Sequence, residues 1–441
     1  MTVPAARIRW QDFATMLRWQ GVGRTVASTA GFNMALFGAL GLGGVLLARR
    51  LGPTARGEYA AITAWLDVAL IIGQCGQPAA LCFYVARDPR CARQYVATSR
   101  SFMLVTGALV LVAGVLFAPL LAHGNSGVAA GYRIACGAAL AALAGTGYVS
   151  SLQARDLHRW NVVRVSQPLL SLTAITGLWA LRLLTLHSAL TVLAVTLLLQ
   201  AGYAYCCCRF SGLAPGGSEA ALVGPLASYG LTQLAALAPT TFNAQLGQLV
   251  LSQTVPPADL GRYAIAVSLT LLPMPLVSAI GNVAFPRLAA LRVVTAATRR
   301  LQFLAVVGSA AIASAILLPL GAVAYWMIPL IFGAGYRGAV PLLWMLIPGA
   351  IFAACGQVVG DLLRGGNHLA AVVWSQGPAA VFLVVLLVVL LPVIGVMGAA
   401  ISSTVAYGIA LALMLWWLRR LPVVSPGPAR SSEVRVVGSS S

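Results

Sequence analysis

Tyr59, Thr63 and Asp67 follow one another at intervals of four, and Gln74 and Gln77 come seven and ten positions after Asp67. Those spacings put all five side chains near one face of a helix. Asp67 stands eight residues into an apolar run. That is about 12 Å at 1.5 Å per residue, close to the middle of a hydrocarbon core roughly 30 Å thick. A carboxylate at such depth suits three tasks: holding a proton or cation that couples to transport, shaping a polar substrate chamber, or making an architectural bond to a neighbouring helix. A second stripe, Thr241, Gln245, Gln248 and Ser252, repeats at intervals of four, three and four. Neutral amides and hydroxyls suit recognition of sugar hydroxyls, and they serve interhelical hydrogen bonding equally well.

The elements carrying these stripes lie in a membrane. Hydrophobic residues make up 60% of the chain and charged residues only 8%, against about 25% charged in soluble domains. Enzymatic activity is not expected: four scattered histidines, nine acids, no GxSxG and no phosphate loop offer no catalytic constellation. Eight cysteines without a CxxC pair or histidines at ligand spacing call for neither a metal nor a disulfide framework. The run Cys206-Cys207-Cys208 reads as small apolar residues at a helix end, with lipidation or metal capture as the other readings. No cofactor is implied. The net charge of +19 comes from 28 basic residues, all arginine. They sit in short segments between apolar runs, which excludes nucleic acid as the partner and fits orientation in a bilayer.

Spanning the core takes about 20 apolar residues, and twelve runs meet that length. Six lie near residues 27–48, 59–83, 101–122, 130–152, 162–181 and 188–208. Six more lie near 225–251, 262–284, 302–330, 337–358, 369–391 and 395–418. Kinks are expected at Pro78, Pro168, Pro239, Pro273, Pro275 and Pro319. With both termini cytoplasmic, 21 arginines fall inside and seven outside, the bias that orients multi-pass proteins. The first 26 residues carry arginines and aromatics ahead of a full-length apolar run, so the first helix is expected to stay in place rather than be cleaved. The tail, 421–441, is rich in Ser, Pro and Arg and is expected to be disordered.

The chain also repeats itself. At a constant offset of 204 residues, Leu42, Gly43, Leu47, Pro53, Gly57, Tyr59 and Ala60 recur as Leu246, Gly247, Leu251, Pro257, Gly261, Tyr263 and Ala264. Gly131-Tyr132-Arg133 recurs as Gly335-Tyr336-Arg337 at the same offset. Six spans per half make the repeats parallel, related by an axis along the membrane normal. The expected fold is all-α: an N-lobe (1–210), a Gly/Pro/Ser-rich linker (211–222) and a C-lobe (223–420) around a central cavity. Each Tyr-Arg pair is read as an interfacial anchor, its ring in the headgroup belt and its guanidinium snorkelling.

Four segments resemble a known family. LLARRLGPTARGEYAAITAW (46–65), SLQARDLHRWNVVRVSQPL (151–169), IFGAGYRGAVPLL (331–343) and LPVIGVMGAAISSTVAYGI (391–409) are similar to segments of the polysaccharide flippases in the multidrug/oligosaccharidyl-lipid/polysaccharide exporter superfamily. That resemblance implies two six-helix lobes around a V-shaped cavity in the bacterial inner membrane, alternately open to either side. It implies an oligosaccharide on a polyprenyl pyrophosphate as substrate, membrane lipids as surroundings, and a glycan polymerase and glycosyltransferases as further partners. Cavity cations are expected to meet the pyrophosphate; Arg24, Arg50 and Arg262, which cap spanning helices, are the candidates. Asp67, Gln74, Gln77, Gln245 and Gln248 are the expected polar wall, with Asp67 also the candidate ion-coupling acid. Other readings are a multidrug cation antiporter of the same superfamily and a non-transporting scaffold for glycan assembly.

Overall fold

The computed structural model describes residues 20–213, 216–278, 296–365 and 368–420, and among them it contains helices and no strand. In chain order these are α1 (Gln20–Gln74), α2 (Gln77–Arg87), α3 (Ala92–Leu121), α4 (Ser126–Arg155), α5 (Leu157–Ala180) and α6 (Leu186–Phe210). They continue as α7 (Ala220–Thr254), α8 (Pro257–Thr270), α9 (Ala296–Phe332), α10 (Ala339–Gly365), α11 (Leu369–Ile394) and α12 (Val396–Arg420). Eight of the described helices are long and apolar enough to cross a membrane. One is the 47-residue stretch Ser28–Gln74, about 70 Å at 1.5 Å per residue, which is enough to cross twice.

α1 therefore holds the first two expected spans as two arms. They meet at Gly52, whose φ of 71° and ψ of 176° interrupt the helix. Glycine alone takes that conformation without strain, and Pro53 then restarts the helix from a residue that needs no amide partner. In the second repeat Pro256 and Pro257 make the corresponding bend, with Pro256 at φ −56° and ψ 142° separating α7 from α8. One bend uses a left-handed glycine and the other an extended proline, so the same architectural joint comes from different local chemistry.

Two boundaries differ from the sequence expectation. The expected 59–83 span breaks at Cys75 and Gly76, both with positive φ, so Pro78 opens α2 and kinks nothing. In the eighth span α8 gives way to a turn over Leu271–Pro273 and helix resumes over 274–278, the interruption expected at Pro273 and Pro275. The third span begins nine residues early, at Ala92, because the amphipathic first turns of α3 pack on the linker: Gly216 N–H donates to the Arg93 carbonyl at 3.2 Å and Glu219 N–H to the Thr98 hydroxyl at 3.0 Å. The N-terminal segment before Gln20 and the tail 421–441 lie outside the described residues.

Five buried clusters divide along the repeat. Three lie within α1–α6, one within the second half, and the largest joins Ala48, Ala60 and Ala61 of α1 to α7–α12. That shared cluster sits at the bends, the joint we call the hinge. A methyl group on Gly57 would lie 1.7 Å from the Pro257 carbonyl oxygen, and one on Gly261 would lie 2.1 Å from the Pro53 carbonyl oxygen. These are the same contact made twice by repeat-related residues, so the pseudo-two-fold axis passes between the two glycines.

The Tyr-Arg pairs are not interfacial anchors. Tyr132 and Tyr336 are 3% and 1% exposed, and the Tyr336 hydroxyl donates to the Ala48 carbonyl across the hinge at 3.2 Å. Burial pushes the Tyr336 phenol up to about 12, against the opposing pull of the Arg56 guanidinium. Both arginines of the pairs are exposed, as the snorkelling half of that reading required.

The steric contact makes a sharp demand. Gly57→Ala is expected to cost about 1–3 kcal/mol, because no backbone shift relieves a carbonyl from both sides of the axis at once. Gly31→Ala, where a methyl group meets nothing within 4 Å, is expected to stay within about 0.5 kcal/mol. Thermal unfolding of the two variants in nanodiscs checks this; equal midpoints would contradict the hinge assignment.

Candidate functional site: a polar cavity beside the seam

The two polar stripes meet. α1 beyond its bend and α7 lie side by side, and the Gln245 amide donates to Asp67 Oδ2 at 3.0 Å. Two turns nearer the hinge the Trp65 indole donates to the Ser252 hydroxyl at 3.1 Å. The Asp67 carboxylate is exposed and held at the seam by one amide, and Asp67 does not line the cavity that Gln245 faces. Thr63 is spent locally, donating to the Tyr59 and Ala60 carbonyls of its own helix.

Gln245 and Gln248 also face a cavity of ≈ 310 Å³ enclosed by α7, α8, α10, α11 and α12, a size typical of small-molecule sites. Its other polar lining includes Tyr263, Gln357, Arg364 and Gln376. Gln376 is positioned by the buried Asn243, whose amide donates to its side-chain oxygen at 2.8 Å. Arg364 sits near the end of α10 and pairs with Asp361 at 3.1 Å. Its Nε is buried without a hydrogen-bond partner, an N–H that a ligand oxygen would satisfy. Amides and two phenols, those of Tyr263 and Tyr407, around one guanidinium can bind hydroxyls and one anionic oxygen.

Other expected site residues fall elsewhere. Gln77 is 1% exposed and bonds Ser99 at 2.8 Å and the Leu226 carbonyl at 3.4 Å, so it ties α2 to α3 and α7. Gln74 is half-buried on the second arm of α1, apart from the cavity lining. Arg50 donates to the Arg182 carbonyl at 2.9 Å. Arg262 pairs with Asp259 at 2.7 Å and donates to the Gly335 carbonyl at 3.2 Å. Neither lines the cavity: both side chains turn to the hinge face, although Arg262 directly precedes the cavity residue Tyr263. The Arg24 side chain lies outside those described.

Sequence reading missed Arg364, Gln357 and Gln376. Asp361 and Arg364, three apart, gave a signal, since an i,i+3 ion pair can continue a span beyond its last apolar residue; the tenth span was ended at 358 on hydropathy alone. Arg164 on α5 bonds Asn33 of α1, and its guanidinium lies 4.3 Å over the Trp160 ring. Among the described residues no group of histidines, cysteines and acids has metal-site geometry. Cys207 and Cys208 are buried, with Cys208 Sγ 3.4 Å from the Ser151 hydroxyl, as small packing residues would be.

A family model described as polysaccharide biosynthesis protein matches residues 22–292, more than half of the chain. No curated protein matches the sequence. Among solved structures, the fold is similar to the lipid II flippase MurJ in an inward closed conformation, with TM-score 0.73 and 12% identity over 89% of this chain and 88% of that one. It is also similar to an inward-facing multidrug resistance MATE family transporter of the MOP superfamily, with TM-score 0.71 and 14% identity over 90% and 98% of the two chains. A third similar structure is a MOP superfamily transporter from Pyrococcus furiosus Vc1, with TM-score 0.61 and 12% identity over 91% and 95%. At these identities the likeness establishes the fold alone.

If the Asp67–Gln245 bond fastens the seam, Asp67→Leu and Gln245→Leu should be non-additive. A double-mutant cycle on thermal unfolding is expected to return a coupling of about 0.5–3 kcal/mol. Additive losses would mean the bond contributes nothing to closure.

Proposed function

The chain belongs to the polysaccharide biosynthesis protein family, and from that premise we propose that it is a flippase for a polyprenyl-pyrophosphate-linked oligosaccharide. The substrate moves from the inner to the outer leaflet of the bacterial inner membrane by alternating access. The observation that carries this reading is the composition of the cavity: four glutamine amides, the phenols of Tyr263 and Tyr407, the hydroxyls of Thr270 and Ser403, and one guanidinium with an unsatisfied N–H, set among apolar side chains. Sugar hydroxyls take the amides. Arg364, three residues past Asp361 at the end of α10, takes a pyrophosphate oxygen at headgroup depth. Arg364 replaces Arg50 and Arg262 in that role, while Arg24 stays a candidate.

The lobes rock about the paired glycines. Opening toward the termini separates a second tier of contacts, in which a methyl group on Gly76 would lie 1.9 Å from the Gly230 carbonyl oxygen and Phe83 stacks on Tyr229 at 4.7 Å. Asp67 exchanges its Gln245 bond for a proton as the seam opens, which couples rocking to the proton gradient. Arginine asymmetry sets both termini in the cytoplasm. On this reading, glycosyltransferases supply the substrate and a polymerase consumes it.

The direct test is reconstitution. Proteoliposomes containing the protein are expected to expose a fluorescent lipid-linked oligosaccharide to an external glycan-cleaving enzyme, and Arg364→Gln is expected to slow this about 10-fold or more, the loss of one charge-assisted bond. Efflux of cationic dyes with no glycan movement would refute the reading.

Coupling is tested separately. Asp67→Asn keeps the hydrogen-bonding shape and cannot release a proton, so its flipping rate is expected to be the same with and without an imposed pH gradient. A gradient dependence equal to wild type removes Asp67 from coupling and leaves it as a seam residue.

A further inference from the structure

The hinge face has two halves related by the 204-residue repeat, and only one of them is closed. On the closed half Tyr336 bonds the Ala48 carbonyl, Arg49 donates to the Leu330 and Ile331 carbonyls, and Arg262 packs beside Gly338 and bonds Gly335. The positions that correspond to Tyr336, Ala48, Arg49 and Arg262 are Tyr132, Ser252, Gln253 and Glu58. Apart from a 3.3 Å bond from the Gln253 amide to its neighbour Ser252, these four do not close on one another; they line a cleft of ≈ 380 Å³, with His123, Asn125 and Thr254 beside them. Where the closed half has an arginine, the open half has a carboxylate.

Leu121 and Tyr132 line this polar cleft and also a second one of ≈ 490 Å³. The second runs along α1, α3 and α4 between side chains such as Trp65, Ile72, Ala113 and Phe117 and is almost wholly apolar. From Glu58 to Ile72 is about 21 Å along the helix, the reach of most of an acyl chain. A polar pocket continuous with an apolar groove at membrane depth is the shape of an amphiphile.

We propose that the joined clefts bind one phospholipid with a primary-ammonium headgroup, its ammonium on Glu58 and one acyl chain along the groove. Charge selects the headgroup. Glu58 has no hydrogen bond or ion pair among the described residues, and no arginine lines either cleft, so a purely anionic headgroup finds no cation there. An ammonium supplies the charge-assisted donors that the carboxylate lacks. The lipid phosphate has donors in the same pocket. Asn125 spends its side-chain oxygen on the Gly127 and Val128 N–H groups at 3.0 and 3.2 Å, which leaves its amide NH2, and His123 adds a ring nitrogen. Because Trp65 lines the groove and also bonds Ser252 of the other lobe, the bound chain packs against a fastening of the seam and favours the hinge-closed state. The proposal rests on cleft geometry and not on the flippase reading, so either can fail alone.

Native mass spectrometry of the delipidated, purified full chain tests it, using synthetic phosphatidylethanolamine, phosphatidylcholine and phosphatidylglycerol with identical acyl chains at equal concentration. Wild type is expected to retain one phosphatidylethanolamine several-fold more than either other lipid. Glu58→Gln is expected to bring that retention down to the level of the other two. Ala113→Phe, at an exposed groove position, is expected to lower retention of all three with the melting temperature unchanged. Equal retention by wild type, preference for phosphatidylglycerol, or a phosphatidylethanolamine preference that survives Glu58→Gln overturns the headgroup assignment. Retention unchanged in Ala113→Phe overturns the groove.

Discussion

The fold depends on backbone meeting backbone where Gly57 and Gly261 lie against the carbonyls of Pro257 and Pro53. No side chain fits between them, so the two bends approach to the limit set by main-chain atoms and the two lobes share one hydrophobic cluster there. Each proline holds its bend rigid and each glycine removes the atom that would keep the bends apart. A contact between main-chain surfaces acts as a bearing, because it resists compression and offers little directional bonding to oppose rotation.

The two ends of the seam are fastened differently. At the hinge face Arg49 reaches two carbonyls of the opposite lobe from an exposed position, where solvent screens charge-assisted bonds. Near the termini the ties across the seam include a 3.4 Å hydrogen bond from Gln77 to Leu226 and the Phe83–Tyr229 stack. An aromatic pair adds about 0.5–1.5 kcal/mol beyond its buried area, and so long a hydrogen bond is at the weak limit.

Much of this was legible in residue order. Periodicity and hydropathy locate the spans, and the constant offset locates both bends, because a duplicated joint needs the same Pro and Gly in each copy. The stripes around Asp67 and Gln245 were legible as faces, since helical spacing fixes direction about the axis. What spacing does not fix is which helix stands opposite. Gln77 belongs to the Asp67 stripe by arithmetic, yet the break at Cys75–Gly76 resets the helical phase and turns it into a buried tie. Tyr132 and Tyr336 looked interfacial because they precede arginines at helix starts; their burial comes from the sharp hinge, which brings helix ends into the core. Arg364 was hidden because its ion pair with Asp361 lowers the hydropathy of a helix that continues through it.

Duplication supplied a symmetric frame, and the polar chemistry required that symmetry to be broken. By the 204-residue offset, Asp67 corresponds to Leu271, and Gln245 and Gln248 correspond to Gly41 and Gly44. The symmetric mate of the Asp67–Gln245 bond is therefore a leucine and a glycine. Had both copies kept the acid, two carboxylates would share the seam and repel at low dielectric. Had both kept the amides alone, no ionisable group would stand at that depth. One lobe supplies the charge and the other the donors, so a change in protonation at Asp67 acts on the bond between lobes rather than within either. The same division recurs at the hinge face, where Glu58 stands in one copy for Arg262 in the other, and the paired glycines between these sites are what the two copies still hold in common.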